Sequence, residues 1–283
     1  MNNIIFIADF FVEETGGGGE LNNDELVTLL TQKKYNVTKY KSRAVKPSLL
    51  NSWDQDTKFI ISNFVQLSEE SKRILEDNKS YIIYEHDHKY VKTRNPADYK
   101  NFIAPKEEII NYRFYENAVA VLCQSEFHAN IVRTNLNLDN IKSLGGNLWS
   151  LESLNLMQDI STKEKVPKYA IMDSNNWHKN TQGAIVACNS NNWEYDLIPP
   201  SQYNDFLTRM GRNEKFIFLP KTPETLSRII VEARMMGMSV ITNKLVGATK
   251  EDWFELKGLE LIEIIKNKRE EIPQIIEEIF ENG

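Results

Sequence analysis

The chain has 283 residues, of which 41% are hydrophobic and 26% are charged. This composition is typical of a globular protein, and the length suits two α/β domains. The formal net charge of −6 and the dispersed Lys and Arg residues argue against general nucleic-acid binding. No apolar run approaches the roughly 18 residues of a membrane span, and no signal peptide is evident. We therefore expect a cytoplasmic protein without a transmembrane segment.

The two cysteines, Cys123 and Cys188, lie in apolar or helix-like segments. Two isolated thiols do not make a disulfide framework, and four histidines without paired cysteines do not match a zinc pattern. We expect both thiols to be buried and reduced, and we predict neither a bound metal nor a cofactor.

Residues 1–150 alternate short β-branched or aromatic runs with longer helix-period stretches, which is the pattern of a parallel sheet with crossover helices. The predicted strands are Ile4–Ala8, Val37–Tyr40, Lys58–Ser62, Tyr81–Tyr84 and Val119–Cys123. The predicted helices are Glu20–Lys33, Ser68–Asn78, a short one before Ala118, and Ser125–Asn135. Together they predict one doubly wound domain.

Residues 151–167 lose strand character and become polar, which predicts an interdomain linker. The alternation restarts over 168–265, the second predicted domain. Its predicted strands are Tyr169–Met172, Lys215–Leu219 and Ser239–Thr242, and its predicted helices are Thr181–Cys188, Pro200–Met210 and Thr225–Met236. Residues 266–283 are predicted as a helical tail that Pro273 divides into two pieces.

The segment 216–242 carries the most chemical information. It predicts a strand, a loop bounded by prolines, a helix with Glu224 at its entrance, a glycine stop and another strand. Glu224 would then lie at the positive end of the helix dipole, where backbone amides bind phosphate. Glu232 follows eight positions later, about 12 Å along the axis of such a helix, so both carboxylates would line one ligand. The amides in question are those of Thr225, Leu226 and Ser227.

This block resembles the Glu-x7-Glu signature of the retaining GT-B glycosyltransferases of family 4, including its preceding Leu-Pro and its later Glu-Ala-x3-Gly-x2-Val-Ile. The resemblance implies that Glu224 contacts hydroxyls of the donor sugar and that Glu232 hydrogen-bonds the nucleotide ribose. The alternative is a capping acid followed by a solvated helix acid.

A run of glycines, residues 16–19, separates the first predicted strand from the first helix. Glycines let a backbone approach a ligand closely, and the helix beyond them favours anions. The run lacks a Walker lysine and a dinucleotide Gly-x-Gly-x-x-Gly pattern. It resembles the Gly-Gly-x-Glu loop of family 4, which implies that Gly17 and Gly18 contact the donor. A flexible surface loop is the alternative.

Ionisable residues follow the strand Tyr81–Tyr84, at the sheet edge where open α/β sheets place ligands. Many GT-B enzymes carry a histidine here that contacts the donor sugar, and the form Tyr-x-His-Asp-His resembles the phage α-glucosyltransferases that modify hydroxymethylated DNA bases. We predict His86 as the site histidine because it is nearer the strand end; His88, a metal pair and a polar loop are the alternatives. The cation-rich segment Lys89–Arg94 faces either a phosphorylated ligand or solvent.

The segment 169–183 resembles the opening of the second domain in family 4, where an Arg and a later Lys pair with the donor diphosphate. Lys179 matches the Lys. No Arg precedes it in this segment, so the second positive group is either missing or supplied from elsewhere, for example by Arg228, Arg94 or helix amides. A solvated loop lysine is the alternative.

These resemblances imply a GT-B fold, with two Rossmann-like doubly wound domains facing across a cleft. They imply a metal-independent, retaining transfer of a sugar from a nucleotide-diphosphate donor to a hydroxyl of a glycan or protein. The alternatives are a hydroxymethylated DNA acceptor, a nucleotide-sugar epimerase, and a module that binds sugar nucleotides without catalysis. The predicted catalytic residues are His86, Lys179 and Glu224, and the predicted donor-binding residues are Gly17, Gly18, Thr225, Leu226, Ser227 and Glu232.

Overall fold

The computed structural model describes residues 3–282, which form two compact units. The first unit comprises residues 3–148 together with 269–282, and the second comprises residues 149–268. Each unit contains one parallel β-sheet with helices on both faces, the α/β architecture that the alternating pattern predicts.

The first unit contains six parallel strands and five helices of its own. The strands are β1 (Asn3–Ala8), β2 (Asn36–Lys41), β3 (Lys58–Ile61), β4 (Ser80–Glu85), β5 (Ala120–Cys123) and β6 (Ile141–Ser143). The helices are α1 (Gly18–Gln32), α2 (Pro47–Ser52), α3 (Glu69–Asn78), α4 (Tyr112–Glu116) and α5 (Glu126–Leu136). The strand order is β2-β1-β3-β4-β5-β6. The order reverses between β1 and β3, and open α/β sheets bind ligands beside the carboxyl ends of the two strands at such a point.

The second unit contains four parallel strands in the order β10-β9-β7-β8. The strands are β7 (Val166–Met172), β8 (Tyr195–Ile198), β9 (Asn213–Phe218) and β10 (Ser239–Thr242). The remaining helices are α6 (Leu151–Ser161), α7 (Thr181–Ser190), α8 (Tyr203–Met210), α9 (Arg228–Met235) and α10 (Leu259–Asn282). The sequence patterns predict neither β6 nor β8, which are short strands at sheet edges.

Two apolar clusters, one on each face, cover each sheet. In the first unit, one cluster is built around Phe59, Tyr81 and Phe114, and the other includes Phe6 and Leu26. The second unit is covered in the same way on both faces. Burial on both faces explains why the inner strands of the first sheet, β1, β3, β4 and β5, are almost continuously apolar instead of alternating.

The region predicted as a linker, residues 151–167, contains α6 and the first residues of β7. The Ser150 side chain caps α6 by accepting a hydrogen bond from the Ser153 amide. Leu154, Met157 and Ile160 bury one face of the helix. Its sequence is polar because only one face is buried, against α8 and α9.

The prediction that Pro273 divides the tail is wrong, because α10 is one helix that continues through this proline. Proline removes only one intrahelical hydrogen bond, to the carbonyl four residues earlier. On both sides of it, Ile272, Ile276 and Ile279 are buried in the first unit, and this packing offsets the loss. Residues from 269 onward belong to that unit.

Both cysteines are free and buried, as predicted. Among residues 3–282, no helix combines the length and the apolar character that crossing a lipid bilayer requires.

Candidate functional site

Lys179 and Glu224 meet in the second unit at the reversal of strand order. β7 lies between β8 and β9, so the loops that follow β7 and β9 leave the sheet side by side. Lys179 ends a 3-10 turn after β7, and Glu224 lies in the loop after β9. The Lys179 Nζ lies 2.9 Å from the Glu224 Oε1, and the two side chains are 30% and 16% exposed. This ion pair is therefore still accessible to a ligand.

Backbone and amide contacts join these two loops. The Asn180 amide donates to the Leu219 carbonyl at 2.8 Å, and the Lys221 N–H donates to the His178 carbonyl at 2.9 Å. The Lys179 ammonium also lies over the Phe218 ring, 5.6 Å from its centroid. These contacts hold together the two loops that carry the ion pair.

The predicted helix start at Thr225, with Glu224 at the entrance, is wrong, because α9 begins at Arg228. Glu224 instead forms a parallel bridge with Val246, and its N–H donates to the Leu245 carbonyl at 2.8 Å. This pairing extends the backbone before the helix. The two glutamates therefore do not share a helix, and the predicted anion-binding amides, those of Thr225, Leu226 and Ser227, lie ahead of the first turn.

Ser227 forms the N-cap of α9 in a left-handed conformation, with φ of 74°. This region is unfavourable for residues other than glycine and asparagine. The side chain is 6% exposed, and its Oγ has no hydrogen-bond partner among the described residues. An unpaired hydroxyl at the positive end of a helix is suited to an anion.

Glu232 is buried among aromatic and cationic groups. Its Oε1 accepts hydrogen bonds from the Trp149 indole at 2.9 Å and from the Tyr203 hydroxyl at 2.7 Å. Arg228 lies 3.6 Å from the same oxygen and stacks over the Trp149 ring at 4.1 Å. Burial, together with the Glu232 charge, raises the pKa of Tyr203. Because Oε1 already has these partners, a hydrogen bond from a ribose hydroxyl to Glu232, which stays a prediction, would have to use Oε2.

In the first unit, the glycine run lies beside His86. Gly17 caps α1, and Gly18 is the first residue of that helix. A Cβ at Gly17 would overlap the Glu20 carboxylate, and one at Gly19 would lie 3.6 Å from the Cγ of His86. Burial raises the pKa of Glu20, and the negative charge of Asp9 adds to the shift. The fold thus brings the predicted glycine loop and the predicted histidine together.

The two candidate histidines, His86 and His88, differ in their exposure. His86 is partly exposed, and its Nε2 lies 2.7 Å from the Asn23 Oδ1. His88 is 3% exposed, and its Nδ1 lies 3.0 Å from the Tyr90 hydroxyl. Burial lowers the pKa of His88 well below its usual value. Of these two histidines, only His86 reaches the surface.

The cation-rich segment Lys89–Arg94 pairs with acids of its own unit. Lys89 is buried against Glu85 and lies 2.6 Å from the Asp87 Oδ1, and Arg94 contacts the Asp87 Oδ2 at 2.6 Å. Burial raises the pKa of Glu85 to about 7, although the Lys89 charge lowers it. For Asp87 burial acts in the same direction, but the charges of Lys89 and Arg94 outweigh it and leave its pKa below the usual range. Lys89 thus meets neither a ligand nor solvent.

His128 is a buried neutral histidine that ties this segment to α5. Its Nε2 donates to the Asp87 carbonyl at 3.0 Å, and its Nδ1 accepts from the Gln124 N–H at 3.3 Å. Burial lowers the pKa of His128 to about 4. In the unfolded chain the His128 imidazole therefore takes up its second proton below pH 6.5. In the folded chain it does so only near pH 4.

We predict that His128→Gln removes part of the acid sensitivity of the protein. Between pH 6.5 and 4, His128 should lower the free energy of unfolding by about 1.4 kcal/mol for each pH unit of acidification. Urea titrations should therefore show that wild type loses about 2 kcal/mol more than the variant between pH 7 and pH 5. Val132→Ala, at a buried position of the same helix, is the control and should lower stability equally at each pH. Parallel curves for wild type and His128→Gln would contradict the prediction.

The sequence patterns do not predict that several buried polar residues surround His86. They follow three different strands or lie on the buried face of α1, where Asn23 precedes Leu26 and Leu30 at helical spacing. Amides at apolar-face positions are a signal that the sequence does contain. These residues are Asn22, Asn23, Ser62, Gln124 and Asn147.

Among the described residues, no cluster of three or more His, Cys, Asp or Glu side chains is arranged to hold a metal ion. No family model matches the sequence, and no curated protein matches it.

Solved structures do match the chain over nearly all of its length. Sucrose-phosphate synthase from Thermosynechococcus elongatus is 9% identical, with a TM-score of 0.63 and coverage of 100% of both chains. The Anabaena protein HepE, in complex with UDP and glucose, is 12% identical, with a TM-score of 0.50 and coverage of 96% of this chain and 90% of HepE. An alpha-glucosyltransferase in complex with UDP and a 13-mer DNA containing an HMU base is 11% identical, with a TM-score of 0.50 and coverage of 96% and 94%.

The chain has the GT-B fold. This confirms the predicted fold class, and the prediction of a glycosyltransferase agrees with these neighbours. Lys179 and Glu224 lie in the second α/β unit of the GT-B fold, and His86 with the glycine run lies in the first.

Proposed function

We propose that this protein is a metal-independent, retaining glycosyltransferase that uses a nucleotide-diphosphate sugar as donor. The observation that carries the proposal is the accessible Lys179–Glu224 ion pair at the strand-order reversal of a GT-B unit. A donor can engage both partners of the pair, with its diphosphate on Lys179 and its sugar hydroxyls on Glu224. HepE and the alpha-glucosyltransferase, which share the fold, were solved with UDP.

The chemistry follows from the charges. When the bond between the anomeric carbon and the phosphate oxygen breaks, negative charge develops on the nucleoside diphosphate. Lys179 and the positive end of α9, capped by Ser227, stabilise that charge in place of a metal ion. The acceptor hydroxyl attacks from the face that the phosphate leaves, and a phosphate oxygen takes its proton.

Thermal-shift measurements with UDP, GDP, ADP and dTDP, each with and without a sugar and without added divalent metal, test the donor. One nucleotide series should stabilise the protein, by about 2.7 kcal/mol at a hundredfold excess over Kd, and EDTA should leave the shift unchanged. Absence of a shift with every nucleotide would overturn the proposal.

The acceptor is proposed to be a hydroxyl of a glycan or a protein. A DNA acceptor is the second candidate, because the alpha-glucosyltransferase with the same fold was solved with DNA containing an HMU base. The net charge of −6 disfavours it, since duplex DNA is bound mainly through cationic contacts to phosphate.

Radiolabelled donor should transfer its sugar to a glycan mixture. Transfer to DNA containing HMU, and not to unmodified DNA, would favour the second candidate. Donor epimerisation without an acceptor would indicate an epimerase, and donor binding without turnover a non-catalytic module.

A further inference from the structure

The side chains around His86 form a chain of hydrogen bonds within the first unit. The Asn147 amide donates to the Gln124 Oε1 at 3.4 Å, and the Gln124 amide contacts the Nδ1 of His86. The Nε2 of His86 lies 2.7 Å from the Asn23 Oδ1, which also accepts from the Ser62 hydroxyl at 3.0 Å. We call this set the amide relay.

The direction of the relay determines the protonation of His86. A carbonyl oxygen only accepts, so the Nε2 that faces Asn23 must carry a hydrogen. The Gln124 amide nitrogen only donates, so the Nδ1 that faces it must carry a lone pair. Both conditions hold together only for the neutral imidazole with its hydrogen on Nε2.

Packing keeps the relay in this direction. Asn23 and Asn147 are 1% and 2% exposed, and the Asn23 Nδ2 has no partner in the described part of the chain. In the observed orientation the single Asn23 Oδ1 accepts from the Ser62 hydroxyl and faces the Nε2 of His86, so one amide oxygen serves both neighbours. The Gln124 backbone is held as well, since its carbonyl accepts from the Gly146 N–H at 2.8 Å.

We propose that Asn23 and Gln124 are positioning residues that hold His86 as its neutral Nε2–H tautomer, so that His86 presents an uncharged ring edge to the ligand. The inference rests on the proposed function for its kinetic consequence only. His86 then neither donates a proton to a leaving group nor supplies a positive charge to a phosphate.

Long-range ¹H–¹⁵N correlation spectra of ¹⁵N-histidine-labelled protein test the tautomer directly. The chain has four histidines, and His86→Gln identifies the relevant signals. Wild type at pH 7 should show His86 with hydrogen on Nε2 only. Gln124→Glu places an acceptor opposite Nδ1 and should move a hydrogen onto that nitrogen. Gln158→Glu, on the exposed face of α6, is the matched control and should leave the spectrum unchanged.

Kinetics separate a positioning role from a structural one. Gln124→Met has nearly the same volume and lacks the amide donor, so Nδ1 no longer has to keep a lone pair, whereas Nε2 still faces the Asn23 Oδ1. His86 in this variant should therefore take up a proton on Nδ1 at a higher pH than in wild type. The kcat of Gln124→Met for sugar transfer should fall at least tenfold, whereas UDP affinity by calorimetry should stay within twofold of wild type. A wild-type His86 that carries hydrogen on Nδ1, or unchanged ring signals in Gln124→Met and Gln124→Glu, would overturn the proposal. Failure of UDP to bind wild type would count only against the proposed function.

Discussion

Lys179→Ala should lower kcat for sugar transfer by about 10²- to 10³-fold, the usual loss when one preorganised group that stabilises developing charge is removed. Lys179 is joined to Glu224 at 2.9 Å and lies on a loop that is hydrogen-bonded to its neighbour. We propose that its ammonium stabilises the departing diphosphate, so the loss should fall mainly on kcat. Steady-state kinetics with the donor identified by thermal shift provide the measurement.

Lys221→Ala is the matched control for this experiment. Lys221 is an exposed lysine of the adjoining loop, and only its backbone N–H contacts the Lys179 loop, by donating to the His178 carbonyl. Truncating its side chain should therefore leave kcat close to wild type. Both variants should melt near the wild-type temperature, because a partly exposed ion pair contributes only about 0–1 kcal/mol. If Lys179→Ala keeps more than a tenth of the wild-type kcat, Lys179 is not the group that stabilises the leaving diphosphate.

Lys89→Met should lower the free energy of unfolding by about 3–5 kcal/mol, the cost of leaving a buried charge without its partner. Lys89 and Glu85 are both fully buried, and Lys89 also holds Asp87. Replacing the ammonium by a thioether leaves the buried Glu85 carboxylate without its cation and leaves Asp87 paired with Arg94 alone. Urea unfolding at pH 7 is the measurement.

A second substitution distinguishes charge from packing. In Lys89→Met with Glu85→Gln, the buried carboxylate is gone, and much of the lost stability should return. Lys92→Met is the control, because Lys92 is half-exposed and lies 3.6 Å from Glu108, so its loss should cost at most about 1 kcal/mol. Equal costs for Lys89→Met and Lys92→Met would show that the buried pair contributes nothing beyond a surface pair.

Local pattern was sufficient where the physics is local. Every predicted strand and most predicted helices occur within a few residues of their expected bounds, because apolar periodicity and capping residues such as Ser68 and Ser125 act over one or two turns. Local pattern is insufficient where segments distant in sequence pair with each other. The start of α9 moves to Arg228 because residues near Glu224 pair with those near Val246, a contact that no local window contains.

The sequence by itself determined the parallel α/β class, the glycine run after β1, and the identities of Lys179, Glu224 and His86 as candidate residues. Only the tertiary structure decided that Lys179 and Glu224 touch, that His86 is accessible while His88 is buried, and that an amide relay surrounds His86. The reason is physical: strand order and the burial of a side chain depend on long-range packing, and residues 45 positions apart, such as Lys179 and Glu224, are brought together only when the sheet forms.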